Sequence, residues 1–222
     1  MIKAVLFDMD GVLIDAREWH YEALNRALDL FGMAINLDSH LASYDGLPTR
    51  RKLQMLTKSR GLPAGLHDFV NELKQTYTYE IMTSRCKPTF TAQMALSKLH
   101  RAGYRMAVCS NSIRRTVVSM MEMADLAQYL EVMLSNEDVS KSKPDPEIYL
   151  AAMAKLGLRP DECVIVEDND NGIEAARSSG AYTIVVGQPA DVTFERLTAE
   201  IALANAELAN AALAQTRLAG AA

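Results

Sequence analysis

Short apolar runs punctuate the chain at Lys3–Phe7, Arg105–Cys109, Val132–Leu134, Cys163–Val166 and Thr183–Val186. They are rich in Val, Ile and Leu and lack the alternation that one wetted face would impose. They therefore predict strands covered on both faces. Between them the apolar residues recur at helical spacing. Met94–Ala102 carries Leu96 and Leu99 and stops at Gly103; Thr116–Leu126 carries Val117, Met120, Met121 and Met123. Pro146–Leu156 carries Ile148, Leu150 and Met153 and stops at Gly157, and Gly172–Ser179 stops at Gly180. Glycine just past the last periodic residue is a helix-stop signal. Strand alternating with helix predicts an α/β fold, a parallel sheet with helices on both faces.

The stretch from about Ala16 to Arg85 breaks that rhythm. It holds no strand pattern of comparable strength but three helical ones, Trp19–Phe31, Thr49–Ser59 and Leu66–Met82, separated by loops with Gly32, Gly46 and Gly61. This predicts a helical insert after the first strand, residues 16–87, in a core made of 1–15 and 88–222. The crossings fall near Val12–Asp15 and Arg85–Thr89, and two crossings at one edge make a hinge. From Thr198 to Ala222 the chain is Ala-rich, with Leu197, Ile201, Ala204, Leu208 and Ala211 spaced by four and three. That stripe predicts a last helix that packs on the core, or else one that joins two copies of the chain.

Composition changes this picture little. The 222 residues are 49% hydrophobic and 23% charged, ordinary values for a globular chain. No apolar stretch reaches the length of a membrane span, and no leader pattern opens the sequence. Cys86, Cys109 and Cys163 have no zinc-ligand spacing and read as free thiols of a reducing compartment, the cytoplasm. A net charge of -5 with scattered basic residues gives no case for nucleic acid.

The chemistry gathers where strands end. The first run leads into Asp8 and Asp10, the second into Ser110, Asn111 and Ser112, and the fourth into Glu167, Asp168, Asn169, Asp170 and Asn171. In open parallel sheets, ligands bind beyond the carboxyl ends of the strands, so these clusters would converge on one crevice. Gathered carboxylates repel and raise one another's pKa. A hard dication with oxygen ligands resolves this, and Mg²⁺ suits best; the absence of His and Cys from the clusters argues against zinc. Ser110 and the amides after it lie where a strand turns into a helix, a ready anion site. Lys143, just before Pro144, is placed to neutralise charge on a transferring phosphoryl group, with Lys141 as its competitor. Separately each piece has a bland reading as a strand end, a helix cap or a solvated lysine. Their joint occurrence in this order points to one catalytic site.

In that order, "FDMDGVLID", "CSNS", "KSKPDP" and "VEDNDNGIEAARSSG" resemble the four motifs of the haloacid dehalogenase superfamily, in the branch with a helical cap after the first strand. The resemblance runs from about Met1 to Gly187. It implies a Rossmann-like core with the first and fourth strands adjacent. It further implies Asp8 as a nucleophile that becomes an aspartyl-phosphate, and Asp10 as the acid/base that protonates the leaving oxygen and then activates water. For the first attack Asp10 must carry a proton. Mg²⁺ would be held by Asp8, Asp168 and the Asp10 main-chain carbonyl, with Glu167 a ligand or near neighbour. Ser110 would bond the phosphoryl group, Asn111 would support its loop and Lys143 would orient Asp8. Two departures stand out: Phe90-Thr91-Ala92 replaces the common Pro-Gly, and the Ala-rich tail takes the place of a final strand.

The resulting expectation is a Mg²⁺-dependent phosphatase for a small phosphorylated metabolite such as a sugar phosphate or phosphoglycolate. The main alternative is a phosphohexomutase of the β-phosphoglucomutase type. Those enzymes carry a lysine before the cap glycine, whereas Asp45 precedes Gly46 here. A halide-releasing enzyme would have no use for Asp10, because halide leaves without a proton. A non-catalytic binding protein would not need every catalytic position filled. Gly46 and Arg50, in "SYDGLPTRRKL", are the expected specificity residues of the cap, and His20 is either a hinge-packing residue or a contact to the substrate. Trp19 reads as cap core, the Met120–Met123 cluster as helix packing and Cys109 as a buried sheet residue.

Overall fold

A computed structural model describes residues 1–219. Five strands, β1 (Ala4–Phe7), β2 (Arg105–Cys109), β3 (Val132–Leu134), β4 (Cys163–Glu167) and β5 (Tyr182–Val185), form one sheet in the order β3-β2-β1-β4-β5. Every pair is parallel. In register, Phe7 lies beside Val108 on one side and Val166 on the other. The chain therefore leaves β1, β2 and β4 at the same edge, and their following residues emerge together.

The sheet is covered on both faces, which is why its strands read as continuous apolar runs. Val5, Phe7, Val164 and Val166 pack with Leu96 and Leu99 of α5 (Phe90–Arg101), Val117 and Met120 of α6 (Arg114–Met123), and Leu197 and Ile201 of α9 (Phe194–Ala219). Ala4, Leu6, Ala107 and Ile165 face the other way. They meet Ile148, Tyr149 and Met153 of α7 (Glu147–Leu156), and Ala175 and Ala176 of α8 (Asp170–Ser178). Full burial of a side chain such as Leu6 or Phe7 contributes about 1.5–3 kcal/mol. Such burial makes the strand ends a rigid base.

Between β1 and β2 lie α1 (Arg17–Asp29), α2 (Leu37–Ser43), α3 (Thr49–Arg60) and α4 (His67–Arg85). They share a separate apolar core built from Leu24, Leu28, Leu53, Leu56, Leu62 and Val70. The helix α2 is absent from the hydrophobic pattern. It is a short piece started by Asn36, whose Oδ1 accepts the Ser39 amide at 2.7 Å. Trp19 departs from expectation: it packs against the main sheet cluster, not the cap core. The reason is its place in the first turns of α1, still beside the sheet.

The C-terminal stripe is covered by the chain's own core. Leu197, Ile201 and Ala204 are buried there and Leu208 packs against them; Ala211 lies outside the residues whose side chains are described. The methionines Met120 and Met121 are core residues, and the three cysteines are buried free thiols. No helix among the described residues is long and apolar enough to cross a membrane.

Candidate active site

Asp8 follows β1, Ser110 follows β2, and Glu167 ends β4 with Asp168 next to it. A lysine from the loop before α7 ties these ends together. Lys143 Nζ lies 2.6 Å from Asp8 Oδ1, 2.6 Å from Glu167 Oε1 and 2.8 Å from the Cys109 carbonyl oxygen. Burial alone would lower its pKa, but Asp8 and Glu167 outweigh that and hold the ammonium charged. Lys141 sits on the surface, 3.6 Å from Asp145.

Glu167 is fully buried and saturated by protein. Oε1 accepts from Lys143 and from the Tyr149 hydroxyl, and Oε2 accepts the Asp168 amide at 3.1 Å. The first turn of α8 is built around it. A Cβ on Gly172 would stand 2.0 Å from Glu167 Oε1, so glycine alone leaves the carboxylate its place.

Asp8, Glu167 and Asp168 each offer an oxygen within 4.8 Å of the others. Burial raises Asp8 well above an ordinary aspartate, with Glu167, Asp168 and Asp10 adding and Lys143 opposing. Burial and Glu167 likewise raise Asp168, to about 6. Asp168 Oδ2 is buried without a hydrogen-bond partner, although the Arg17 guanidinium stands 3.6 Å away. An oxygen-only donor set with surplus negative charge and an orphaned carboxylate oxygen fits a hard dication of the Mg²⁺ type.

Asp10 belongs to a different set of partners. His20 Nε2 is 3.0 Å from Asp10 Oδ1, poorly aligned for a hydrogen bond, and the Ser112 hydroxyl donates to Asp10 Oδ2 at 3.2 Å. Behind the ring, Lys74 Nζ lies 3.3 Å from His20 Nδ1. Burial pushes Asp10 up, but His20, Lys74 and Ser112 outweigh it and hold the carboxyl below its ordinary value. His20 and Lys74 of the cap, with Ser112, therefore favour the carboxylate form of Asp10. Burial lowers His20 as well, against the pull of Asp10, and burial and Lys52 bring Lys74 to about 7.

The remaining expected residues line the same cavity. Ser110 is buried and its Oγ accepts the Ser112 amide at 3.0 Å. Asn111 joins cap to core: its Nδ2 donates to the Gly46 carbonyl at 3.0 Å, and its Oδ1 accepts the Lys143 amide at 3.1 Å. Gly46 has φ +69 and a Cβ there would meet Asn169 Oδ1 at 2.7 Å, so the cap loop touches the core closely. Arg50 lines the cavity from an exposed position. Sequence reasoning missed Lys52, Lys74, Asn71 and Gln75, which form the cap wall of the cavity. Lys74 sits four residues from both Val70 and Thr78 on the buried face of α4. That polar interruption of an apolar stripe is the signal that could have found it.

The haloacid dehalogenase-like hydrolase family model matches residues 5–186. The chain belongs to this family and is an enzyme of the hydrolase class. It is 31% identical over 186 residues to the phosphorylated carbohydrates phosphatase of Thermotoga maritima, across 82% of this chain and 84% of that one. The fold is similar to a β-phosphoglucomutase from Clostridium difficile, with a TM-score of 0.80 at 20% identity, over 94% of this chain and 100% of that one. It is also similar to CbbY from Rhodobacter sphaeroides in complex with phosphate, with a TM-score of 0.77 at 24% identity, over 87% and 88% of the two chains.

Proposed function

We propose that the protein is a Mg²⁺-dependent phosphatase of small phosphorylated metabolites, phosphorylated carbohydrates among them, acting through an aspartyl-phosphate on Asp8. The observation that carries this reading is the division of the two aspartates. Asp8 is held by Lys143 beside Glu167 and Asp168, while Asp10, two residues on, is held by His20 and Ser112. The relative from Thermotoga maritima, named for phosphorylated carbohydrates, supports the substrate class.

In this reading Asp8 Oδ attacks phosphorus and the bond to the ester oxygen breaks. Asp10 passes a proton to that oxygen, and in the second step takes one from water as water attacks the phosphorus of the intermediate. In this reading the proton for the first step comes from Lys74, 3.3 Å from His20 Nδ1, and reaches Asp10 by way of the ring. A phosphate dianion beside Asp10 raises its proton affinity and draws that proton over. Such an acid/base contributes about 10²- to 10⁴-fold in rate. Lys143 keeps Asp8 in line and offsets charge on the transferring group, and Ser110 donates to a phosphoryl oxygen. Asp8, Asp168 and the Asp10 main-chain carbonyl would hold Mg²⁺, with Glu167 the neighbour that fixes Lys143. When bound, the ion supplies electrostatic stabilisation of the phosphoryl oxygens.

The test is phosphate release from p-nitrophenyl phosphate and from a panel of sugar phosphates, with Mg²⁺ and after chelation. Metal-dependent turnover is expected. Conversion of β-glucose 1-phosphate to glucose 6-phosphate faster than phosphate release, with trace glucose 1,6-bisphosphate present, would replace this reading with the mutase.

A further inference from the structure

Asp168 is the one carboxylate of the acidic cluster that Lys143 does not pair with. Lys143 spends its charge on Asp8 and Glu167, each at 2.6 Å. The cation beside Asp168 is Arg17 instead, with Nη1 3.6 Å from Oδ2, the only cation so near it among the described residues. Arg17 is the first residue of α1, just past the crossing from core to cap. Its Nη2 donates to the Gly187 carbonyl oxygen, beyond β5, at 2.9 Å. That bond anchors the guanidinium. Asp168 gains from it a charge but no hydrogen bond, so the buried Oδ2 keeps its lone pairs free. The turn after Asp10 leaves room for this approach. Gly11 has φ +92, and a Cβ there would stand 2.1 Å from Asp168 Oδ2 and 3.1 Å from Arg17 Nε. A side chain at that position would push carboxylate and guanidinium apart.

Charge makes the contact consequential. Asp8, Glu167 and Asp168 against Lys143 carry a formal -2, and Arg17 cuts that to -1. Asp10 and Asp45 add negative charge nearby, but each faces cap cations, His20 and Lys74 for Asp10 and Lys52 for Asp45. Arg50 lines the cavity from an exposed cap position. Arg17 is thus the fixed cation that an incoming dication meets at Asp168, and like charges at such range repel. Its side chain is 34% exposed, so water screens part of the effect.

We propose that Arg17 is a positioning residue of the metal site, one that shares Asp168 with the ion and holds down the affinity for a dication. This rests on the Mg²⁺-dependent reading above for where the ion sits. The site then takes up and releases its ion instead of holding it as a fixed part of the fold. The same guanidinium links Asp168 to the first turn of the cap.

Titration of the full chain with Mn²⁺, without substrate, tests this. Free Mn²⁺ is read by electron paramagnetic resonance and Mg²⁺ by competition. Arg17→Gln removes the charge and leaves an amide donor for Gly187; it should bind Mn²⁺ at least about 10-fold tighter than the parent. Arg17→Lys keeps the charge and should stay within about 3-fold of the parent. Arg17→Met is a second neutral variant, and melting curves without metal establish which variants are folded. An Arg17 that only braces Asp168 predicts the reverse, weaker binding once it is removed. Unchanged or weaker Mn²⁺ binding in a folded neutral variant overturns the proposal, as does equal tightening in Arg17→Lys. Failure of both neutral variants to fold overturns it too, since a cation that tunes affinity is dispensable to the fold. No Mn²⁺ binding by parent or variants, or binding left intact by Asp168→Asn, sinks the metal-site reading itself.

Discussion

Lys143 Nζ stands 2.6 Å from Asp8 Oδ1, and the same nitrogen is 2.6 Å from Glu167 Oε1. One buried cation thus serves two buried anions, and removing it strands both. Breaking a buried pair from one side typically costs about 3–5 kcal/mol. Lys143→Met should lower the melting temperature at neutral pH and abolish turnover. The stability deficit should shrink in acid, where protonation of Asp8, whose carboxyl burial already raises, removes part of the stranded charge. Thermal melts of both proteins across pH check this.

Gly172→Ala would ordinarily stabilise a helix by about 1 kcal/mol. Here the new Cβ would meet Glu167 Oε1 at 2.0 Å. The variant should instead lose stability, and it should lose turnover because Glu167 no longer fixes Lys143. Calorimetry and steady-state kinetics on the one variant read both effects.

If His20 and Lys74 store the proton that Asp10 delivers, their removal matters most for leaving groups that need one. His20→Gln and Lys74→Met should slow alkyl phosphate hydrolysis by about 10-fold or more, within the range for acid/base groups. p-Nitrophenyl phosphate, whose leaving group is stable as an anion, should suffer far less. Equal losses on both substrates would assign the pair to structure alone.

His40 gives a stability signature. Burial and Lys52 bring its pKa down from the ordinary histidine value of 6.5 to about 4. The folded chain therefore keeps His40 neutral while the unfolded chain protonates it. Its contribution is complete above pH about 6.5 and is lost as pH falls towards about 4. Over that window the melting temperature of the parent should fall more steeply than that of His40→Leu.

The strands were legible because both faces are covered, so each announces itself as an unbroken apolar run that ends in acids or Ser-Asn. Register then does the rest: with Phe7 beside Val108 and Val166, the three clusters must meet. The cap was legible only in outline. Its short α2 begins at Asn36 and buries a histidine, a residue that reads as surface in a polar segment. Lys52 follows two arginines in a basic run, and nothing local marks it as the one turned inward. Its burial is set by how α3 lies on the core, a long-range outcome that local pattern does not carry. The charge form favoured at Asp10 was hidden for the same reason, since it depends first on His20 of α1 and then on Lys74 of α4.

The most direct measurement of the Asp8 assignment is rapid acid quench of the enzyme with ³²P-labelled substrate and Mg²⁺. The unmodified protein should carry protein-bound label that hydroxylamine releases, as expected of an acyl phosphate, and Asp8→Asn should carry none and release no phosphate. Wild-type turnover by Asp8→Asn, or hydroxylamine-sensitive label on that variant, would contradict Asp8 as the nucleophile.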